Sequence, residues 1–303
     1  MKCSSKITVV GAGAIGSTIL YTLMLENAAK ELVLVNRNRL KGKAKASDIS
    51  HCTGFNGGPS VIYGGYEESM NSDIVIITAG VLPDENGTRM DVLKSNIDIY
   101  KELIPELIKY SPNCILLILT NPMDVMTYAA YKISGFPKER VIGTGTLLDT
   151  IRLRHFIKNP DGIVIGEHGD SQFPIWSNIN IFINNDEKFL FEEKTKRAGW
   201  DIRLAKEHSC YAISFSAVKI VQAILGKQSE PLPVSVMLTG QYEINGIYLS
   251  LPVKLYNKGV QEIIEPKLDE YELKRLKNSA EIVKGYVNKA DNYLNRKADE
   301  KDE

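Results

Sequence analysis

Paired cysteines are missing from this chain of 303 residues. Its four, Cys3, Cys52, Cys114 and Cys210, are scattered without a C-x-x-C pair or metal-ligand spacing, and Cys114 sits inside an apolar run. That excludes a disulfide scaffold and a zinc module, and it reads as free thiols in a reducing compartment, which points to the cytoplasm. Net charge is missing too. The 37 basic residues balance 37 acidic ones, leaving no electrostatic footprint for nucleic acid or an anionic membrane. No apolar run approaches the length needed to cross a bilayer. The stretch from Ile7 to Leu25, behind Lys2 and Lys6, superficially resembles a signal peptide. Gly11, Gly13 and Gly16 weaken it as an apolar helix, however, and no convincing small-residue cleavage site follows, so it reads as structure. Internal repeats and low-complexity linkers are also lacking. What remains is a globular composition, 44% hydrophobic and 24% charged. The length suits two domains, since single cores seldom grow beyond about 250–300 residues.

The first half alternates short β-branched runs with longer amphipathic ones, the pattern of βαβ units feeding a parallel sheet. Strands are predicted at Lys6 to Val10, Glu31 to Asn36, Asp73 to Ala79, Cys114 to Thr120 and Arg140 to Gly143. Most are continuously apolar, as in strands covered by helices on both faces. Helices are predicted at Ala14 to Glu26, Lys41 to His51, Val92 to Tyr110 and Val125 to Ser134. From about Leu147 the pattern changes to a helix, hairpin-like runs at Ile163 to Gly166 and Ile175 to Ile183, and helices near Lys194 to Lys227 and Asp269 to Lys297. The expected organisation is an α/β dinucleotide-binding domain over residues 1–145 and a mixed α+β domain over 146–303.

KITVV-GAGAIG-STILYTLML places Gly11, Gly13 and Gly16 in G-x-G-x-x-G spacing between a strand and a helix. The first glycine allows the tight turn, the second lets backbone approach a pyrophosphate, and the third lets helix and strand pack closely. The helix N-terminus then faces the phosphates. Alone the motif is weak, but a second strand, ELVLV, ends at Asn36, where an acid usually binds the adenosine ribose. Here an amide stands instead, and Arg37 and Arg39 follow. An amide does not repel a 2′-phosphate as a carboxylate would, and a nearby arginine attracts one, so both NAD and NADP are open. The plainer reading makes both arginines loop surface charges.

Reduction of a 2-oxo acid needs a proton donor for the nascent alkoxide, a cation to polarise the carbonyl and a fork to hold the carboxylate. His168, in IGEHGDSQ, is of the type that shuttles protons near neutral pH. Asp149 and Arg152, in GTGTLLDTIRLR, share one face of a helix start, the acid suited to orient an imidazole and the guanidinium to grip a carboxylate. Arg89 lies in VLPDENGTRMD, a loop at the carboxyl end of an apolar strand, where open α/β sheets bind ligands. Singly, each has a duller explanation: a surface ion pair, a structural histidine, a solvated arginine. The combination is what points to chemistry.

Together, GAGAIG, TAG with NGTRMD, LTNPMDV, VIGTGTLLDTIRLR and GEHGDSQFPIWS resemble, in order and rough spacing, the L-lactate/malate dehydrogenase family, over Lys6 to Asn292. The resemblance implies an N-terminal Rossmann domain, a doubly wound parallel sheet, followed by a mixed α+β catalytic domain, assembled as a homodimer or homotetramer. It implies His168 as acid/base, Asp149 as its partner, Arg152 as carboxylate clamp and Arg89 as the loop arginine that closes over substrate. It further implies Asn121 as a contact for substrate and nicotinamide, with a cis bond to Pro122, and Ser209 at the pocket threonine near the substrate's side chain. No metal is implied.

Two departures bear on substrate and regulation. At the loop position matching Pro83, lactate enzymes commonly carry glutamine and malate enzymes arginine. Leu82, Pro83, Asp84 and Glu85 offer no cation for a second carboxylate, which argues against oxaloacetate and for a monocarboxylic acid, pyruvate first. The loop, with LLDT and GEH...SQF, also resembles L-2-hydroxyisocaproate dehydrogenases, which take larger apolar side chains. The connection from Arg154 to His168 is short. Asp161 stands where allosteric relatives place a phosphate-binding histidine, so no sugar-bisphosphate activation is expected. Other classes are a nucleotide-binding regulator that has lost catalysis, disfavoured by the intact set of four polar residues, and an NAD- and metal-dependent glycosidase, disfavoured by the missing cysteine and histidine cluster.

Overall fold

The computed structural model describes residues 5–83, 88, 90–206 and 208–295. Six strands, β1 (Lys6–Val10), β2 (Glu31–Val35), β3 (Ser60–Gly64), β4 (Ile74–Ile77), β5 (Ile115–Ile118) and β6 (Val141–Gly143), form a parallel sheet in the order β3-β2-β1-β4-β5-β6. Every residue of β4 and β5 is buried, so these strands carry helices on both faces. The helices are α1 (Ala14–Leu25), α2 (Arg39–His51), the short α3 (Thr53–Asn56), α4 (Leu93–Tyr110), α5 (Met123–Ser134), α6 (Leu147–Ile157), α7 (Asn185–Lys206), α8 (Tyr211–Ile224) and α9 (Glu270–Asn295). α1 packs against α2 and α8, while α4, α5 and α9 pack on one another. In α4 the buried positions Ile97, Tyr100, Leu103, Ile104 and Leu107 recur every three or four residues, giving one inward stripe.

The later strands, β7 (Val164–Ile165), β8 (Phe173–Pro174), β9 (Leu232–Thr239), β10 (Asn245–Tyr256) and β11 (Gly259–Ile263), are antiparallel. β7 and β8 pair by themselves. β9 joins the edge of the parallel sheet, with Gly143 opposite Ser235, so one nine-stranded sheet runs from β11 to β3. The architecture is the expected α/β Rossmann sheet continued by a mixed α+β half. Capping boxes open α7 and α9: Asn184 and Glu187 exchange side-chain to backbone bonds, as do Asp269 and Glu272.

Two expectations require correction, and four strands went unforeseen. The run from Ile175 to Ile183 alternates like a strand, yet only β8, just before it, pairs with β7, and Trp176–Asn178 form a single 3-10 turn. Alternation without a partner strand gives no ladder; Ile175 and Ile179 are buried while Phe182 is exposed. The helical block from Lys194 to Lys227 is two helices, the first starting at Asn185. Strands β3 and β9–β11 were not expected at all: β3 is a half-exposed edge behind Gly57-Gly58-Pro59, and Pro231, Pro233 and Pro252 punctuate the β9–β10 ribbon.

Candidate active site

The glycine loop lies where the strand order reverses, between β1 and β4, the crevice in which open α/β sheets bind ligands. Gly11 has φ +112°, and a Cβ there would come within 2.6 Å of Thr78 Oγ1. A Cβ at Gly16 would overlap the Gly11 carbonyl oxygen, so the third glycine is what lets α1 dock on its loop. At Gly13, by contrast, a Cβ would meet nothing within 4 Å. That open space lies at the N-terminus of α1, whose first turn carries no acid and whose first residue has no side-chain cap. A cradle of this kind fits a dinucleotide pyrophosphate. Asn36 Oδ1 accepts the Ala12 N–H at 2.9 Å and its Nδ2 donates to the Asn38 carbonyl, so the amide braces the glycine loop. Arg37 and Arg39 are exposed.

Around the other end of the crevice, α6 sets out its polar residues. Asp149, 1% exposed, uses both carboxylate oxygens: Oδ2 meets His168 Nδ1 at 2.7 Å and Oδ1 accepts from Arg152 at 3.1 Å. The structure thus brings three of the four residues picked out for proton transfer and carboxylate binding into direct contact. The fourth, Arg89, lies outside the described residues, as do Asp84 and Glu85. The Arg152 guanidinium lies against Gly199 of α7, where a Cβ would stand 3.0 Å from it. One turn further along α7, on the same face, Arg203 donates to the Pro83 carbonyl at 2.8 Å, and Pro83 is buried. One helix face therefore backs both Arg152 and the Pro83 carbonyl. Ser209 is half-buried just before α8. Arg154 donates to the Gly162 carbonyl at 2.8 Å, and burial draws its guanidinium pKa down against the nearby Glu230 and Asp161.

Asn121 forms a cis peptide bond with Pro122. Its carbonyl accepts from Asn96 at 2.8 Å, and Asn96 Oδ1 also accepts the Val81 N–H at 2.7 Å, so a buried amide on α4 ties the Asn121 turn to the start of the Pro83 loop. The Asn121 side-chain oxygen is buried with no partner among the described residues, an acceptor suited to an amide or hydroxyl donor.

A family model described as lactate/malate dehydrogenase, NAD binding domain, matches residues 5–143, and one described as lactate/malate dehydrogenase, alpha/beta C-terminal domain, matches residues 146–293. The chain belongs to the lactate/malate dehydrogenase family. Among its relatives is an L-lactate dehydrogenase of Clostridium perfringens, 40% identical over 306 residues that cover 94% of this chain and 96% of the relative. Another from Clostridium botulinum is 39% identical, covering 95% and 97%. A crystal structure of a lactate dehydrogenase from a Medee basin deep-sea metagenome library superposes with TM-score 0.90 at 34% identity, covering 96% of this chain and 100% of the other. The minor L-lactate dehydrogenase of Enterococcus mundtii gives TM-score 0.90 at 31% identity, covering 94% and 98%.

In this dehydrogenase several polar residues not singled out from sequence hold the site in place. Thr146 donates to the Val164 carbonyl, and Thr150 accepts the Val164 N–H at 2.9 Å, stitching β7 to the helix that carries Asp149. Asp124 accepts the His168 N–H at 2.7 Å. Ser279 of α9 accepts the Glu167 N–H at 2.8 Å, and Gly166 pairs with Ser250 of β10. Asp124 did carry a sequence signal: it is an acid in the otherwise apolar stretch around NPMD, where an unneeded charge would be costly.

Proposed function

We infer that the protein works as an NAD-dependent oxidoreductase of 2-hydroxy acids. We propose that its substrate pair is pyruvate and L-lactate, with His168 as the proton carrier. The observation that supports this most is the Asp149 carboxylate shared between the His168 imidazole and the Arg152 guanidinium. A bound reduced nicotinamide supplies hydride to the substrate's carbonyl carbon. His168, its Nδ1 held by Asp149, gives the proton on Nε2 to the carbonyl oxygen and takes it back in lactate oxidation. Asp149 favours the charged imidazole before transfer and keeps the ring oriented after it. Arg152 offers its planar fork to the carboxylate, Arg89 polarises the carbonyl, and the unpartnered Asn121 oxygen orients substrate or nicotinamide. Gly11, Gly13 and Gly16 seat the pyrophosphate. Ser209 and Pro83 line the side-chain pocket, where an apolar proline suits a methyl better than a second carboxylate.

We further infer a dinucleotide unit over residues 1–145 and a catalytic unit over 146–303, working in the cytoplasm as a homodimer or homotetramer. Free Cys52, Cys114 and Cys210 fit a reducing compartment, and exposed Phe55 (94%) and Phe182 (95%) fit burial against a second copy. No helix among the described residues is long and apolar enough to cross a membrane. At the adenosine end, Asn36 presents no carboxylate against a 2′-phosphate and Arg37 is exposed, so NADP is accepted as well.

The test is kcat/KM with NADH for pyruvate, 2-oxoisocaproate and oxaloacetate, repeated with NADPH and with His168→Ala. The expected result is dominant pyruvate turnover, about a thousandfold or more lower in the variant. NADPH is expected within about a hundredfold of NADH, under ~3 kcal/mol of discrimination. Dominant oxaloacetate turnover overturns the Pro83 reading, and dominant 2-oxoisocaproate turnover assigns a larger pocket. A stronger NADH preference overturns the reading of Asn36 and Arg37.

A further inference from the structure

Asp124 stands in the first turn of α5, three residues after Asn121, and is 3% exposed. Its Oδ2 accepts the backbone N–H of His168, and its Oδ1 accepts the Ser235 hydroxyl at 2.5 Å. Ser235 sits on β9 opposite Gly143, so the carboxylate joins the Asn121 turn, the β6–β9 seam and the histidine loop at one point. A neutral acceptor would satisfy the His168 N–H equally well; a buried carboxylate is a costly way to do it. Burial raises the Asp124 pKa to about 6, against the hydrogen bonds from Ser235 and His168 and the attraction of the His168 ring, with Glu167 adding to the rise.

We propose that Asp124 is a positioning residue for the proton transfer, fixing the His168 main chain relative to Asn121 and contributing, beside Asp149, a second negative charge that favours the imidazolium. The inference rests on the reading of His168 as proton carrier. Its physical core is reciprocity: if a charged His168 favours ionised Asp124, ionised Asp124 favours charged His168 by the same free energy. Among the described residues, Asp149 of α6 meets the ring with Arg152 behind it, Asp124 of α5 bonds the His168 main chain, and Glu167, the preceding residue, acts on Asp124. Removing one negative charge disfavours the imidazolium. Pyruvate reduction uses the imidazolium and is lost toward high pH; lactate oxidation uses the neutral ring and is lost toward low pH. Both limbs must therefore move to lower pH together.

Asp124→Asn keeps the shape: its Oδ1 can accept the His168 N–H while Nδ2 donates to Ser235. The experiment is the pH dependence of kcat/KM in both directions for wild type, Asp124→Asn, Asp124→Ala and His168→Gln, with NADH binding by fluorescence as the control for folding. For Asp124→Asn the expected result is a shift of both limbs by about half to one pH unit downward, with activity well below the reduction limb within a few-fold of wild type. Asp124→Ala, which also orphans the His168 N–H, is expected to lose about tenfold to a hundredfold more with NADH binding retained. Unmoved limbs in Asp124→Asn overturn the proposal, whether or not activity falls. If His168→Gln keeps wild-type turnover, it is the proton-carrier reading that fails, irrespective of how Asp124→Asn behaves.

Discussion

A guanidinium grips a carboxylate well only if its fork is held still, and Arg152 is held by Asp149 on one side and by the bare backbone of Gly199 on the other. The same face of α7 reaches Pro83 through Arg203, whose donation goes to the Pro83 carbonyl and would survive any side chain placed there. Pro83→Arg therefore adds a cation without cutting that tie. Its expected effect is a rise in the oxaloacetate-to-pyruvate ratio of kcat/KM by about tenfold or more, the scale of one charge-assisted hydrogen bond of ~1.5–3 kcal/mol. An unchanged ratio would show that position 83 does not face the substrate. At this scale the sequence reveals residues whose chemistry dictates their type. The glycines announce themselves by spacing, and Asp149 and Arg152 by sharing a helix face. Ser235 and Asn96 do not, because their partners are remote, and Asp124 shows only as an acid in an apolar stretch, its role hidden because His168 lies 44 positions away and Ser235 lies 111.

The pairing of α6 with β7 shows how an element carries a distance. α6 bears Asp149 and β7 leads into His168, and the two are joined by Thr146 on the Val164 carbonyl and Thr150 on the Val164 N–H, both threonines buried. Thr150→Val conserves shape and leaves a buried N–H unmet, so it is expected to cost about 1–3 kcal/mol of stability. The measured kcat should fall while the KM for NADH, whose pyrophosphate is assigned to the glycine loop away from this seam, stays put. A fall in NADH affinity of the same size would mean that the loss is global. Elements were legible where burial on both faces made them continuously apolar, as in β1, β2, β4 and β5. The β9–β11 ribbon was not, since its prolines mimic loop punctuation and its partner strand, β6, lies about ninety positions earlier. Ile175 to Ile183 failed in the opposite direction, an alternating pattern that met no neighbouring strand.

Across the whole molecule the two ends of the crevice differ in how much chain they require. The glycine loop is complete once β1, α1 and β4 have met, all within the first 78 residues. The loop around His168 is tied to α5 through Asp124, to β10 through Ser250 and to α9 through Ser279, so the histidine is in place only when both halves and the last described helix have docked. In refolding from denaturant, the fluorescence of bound NADH is expected to recover before turnover does, and a kinetic order in which the two return together or in reverse would contradict this. The three-sided fastening of that loop thus makes His168, the proposed proton carrier, the final piece to be set. On that expectation a chain still assembling would hold its coenzyme without being able to discharge it, and the completion of the fold would itself turn the reaction on.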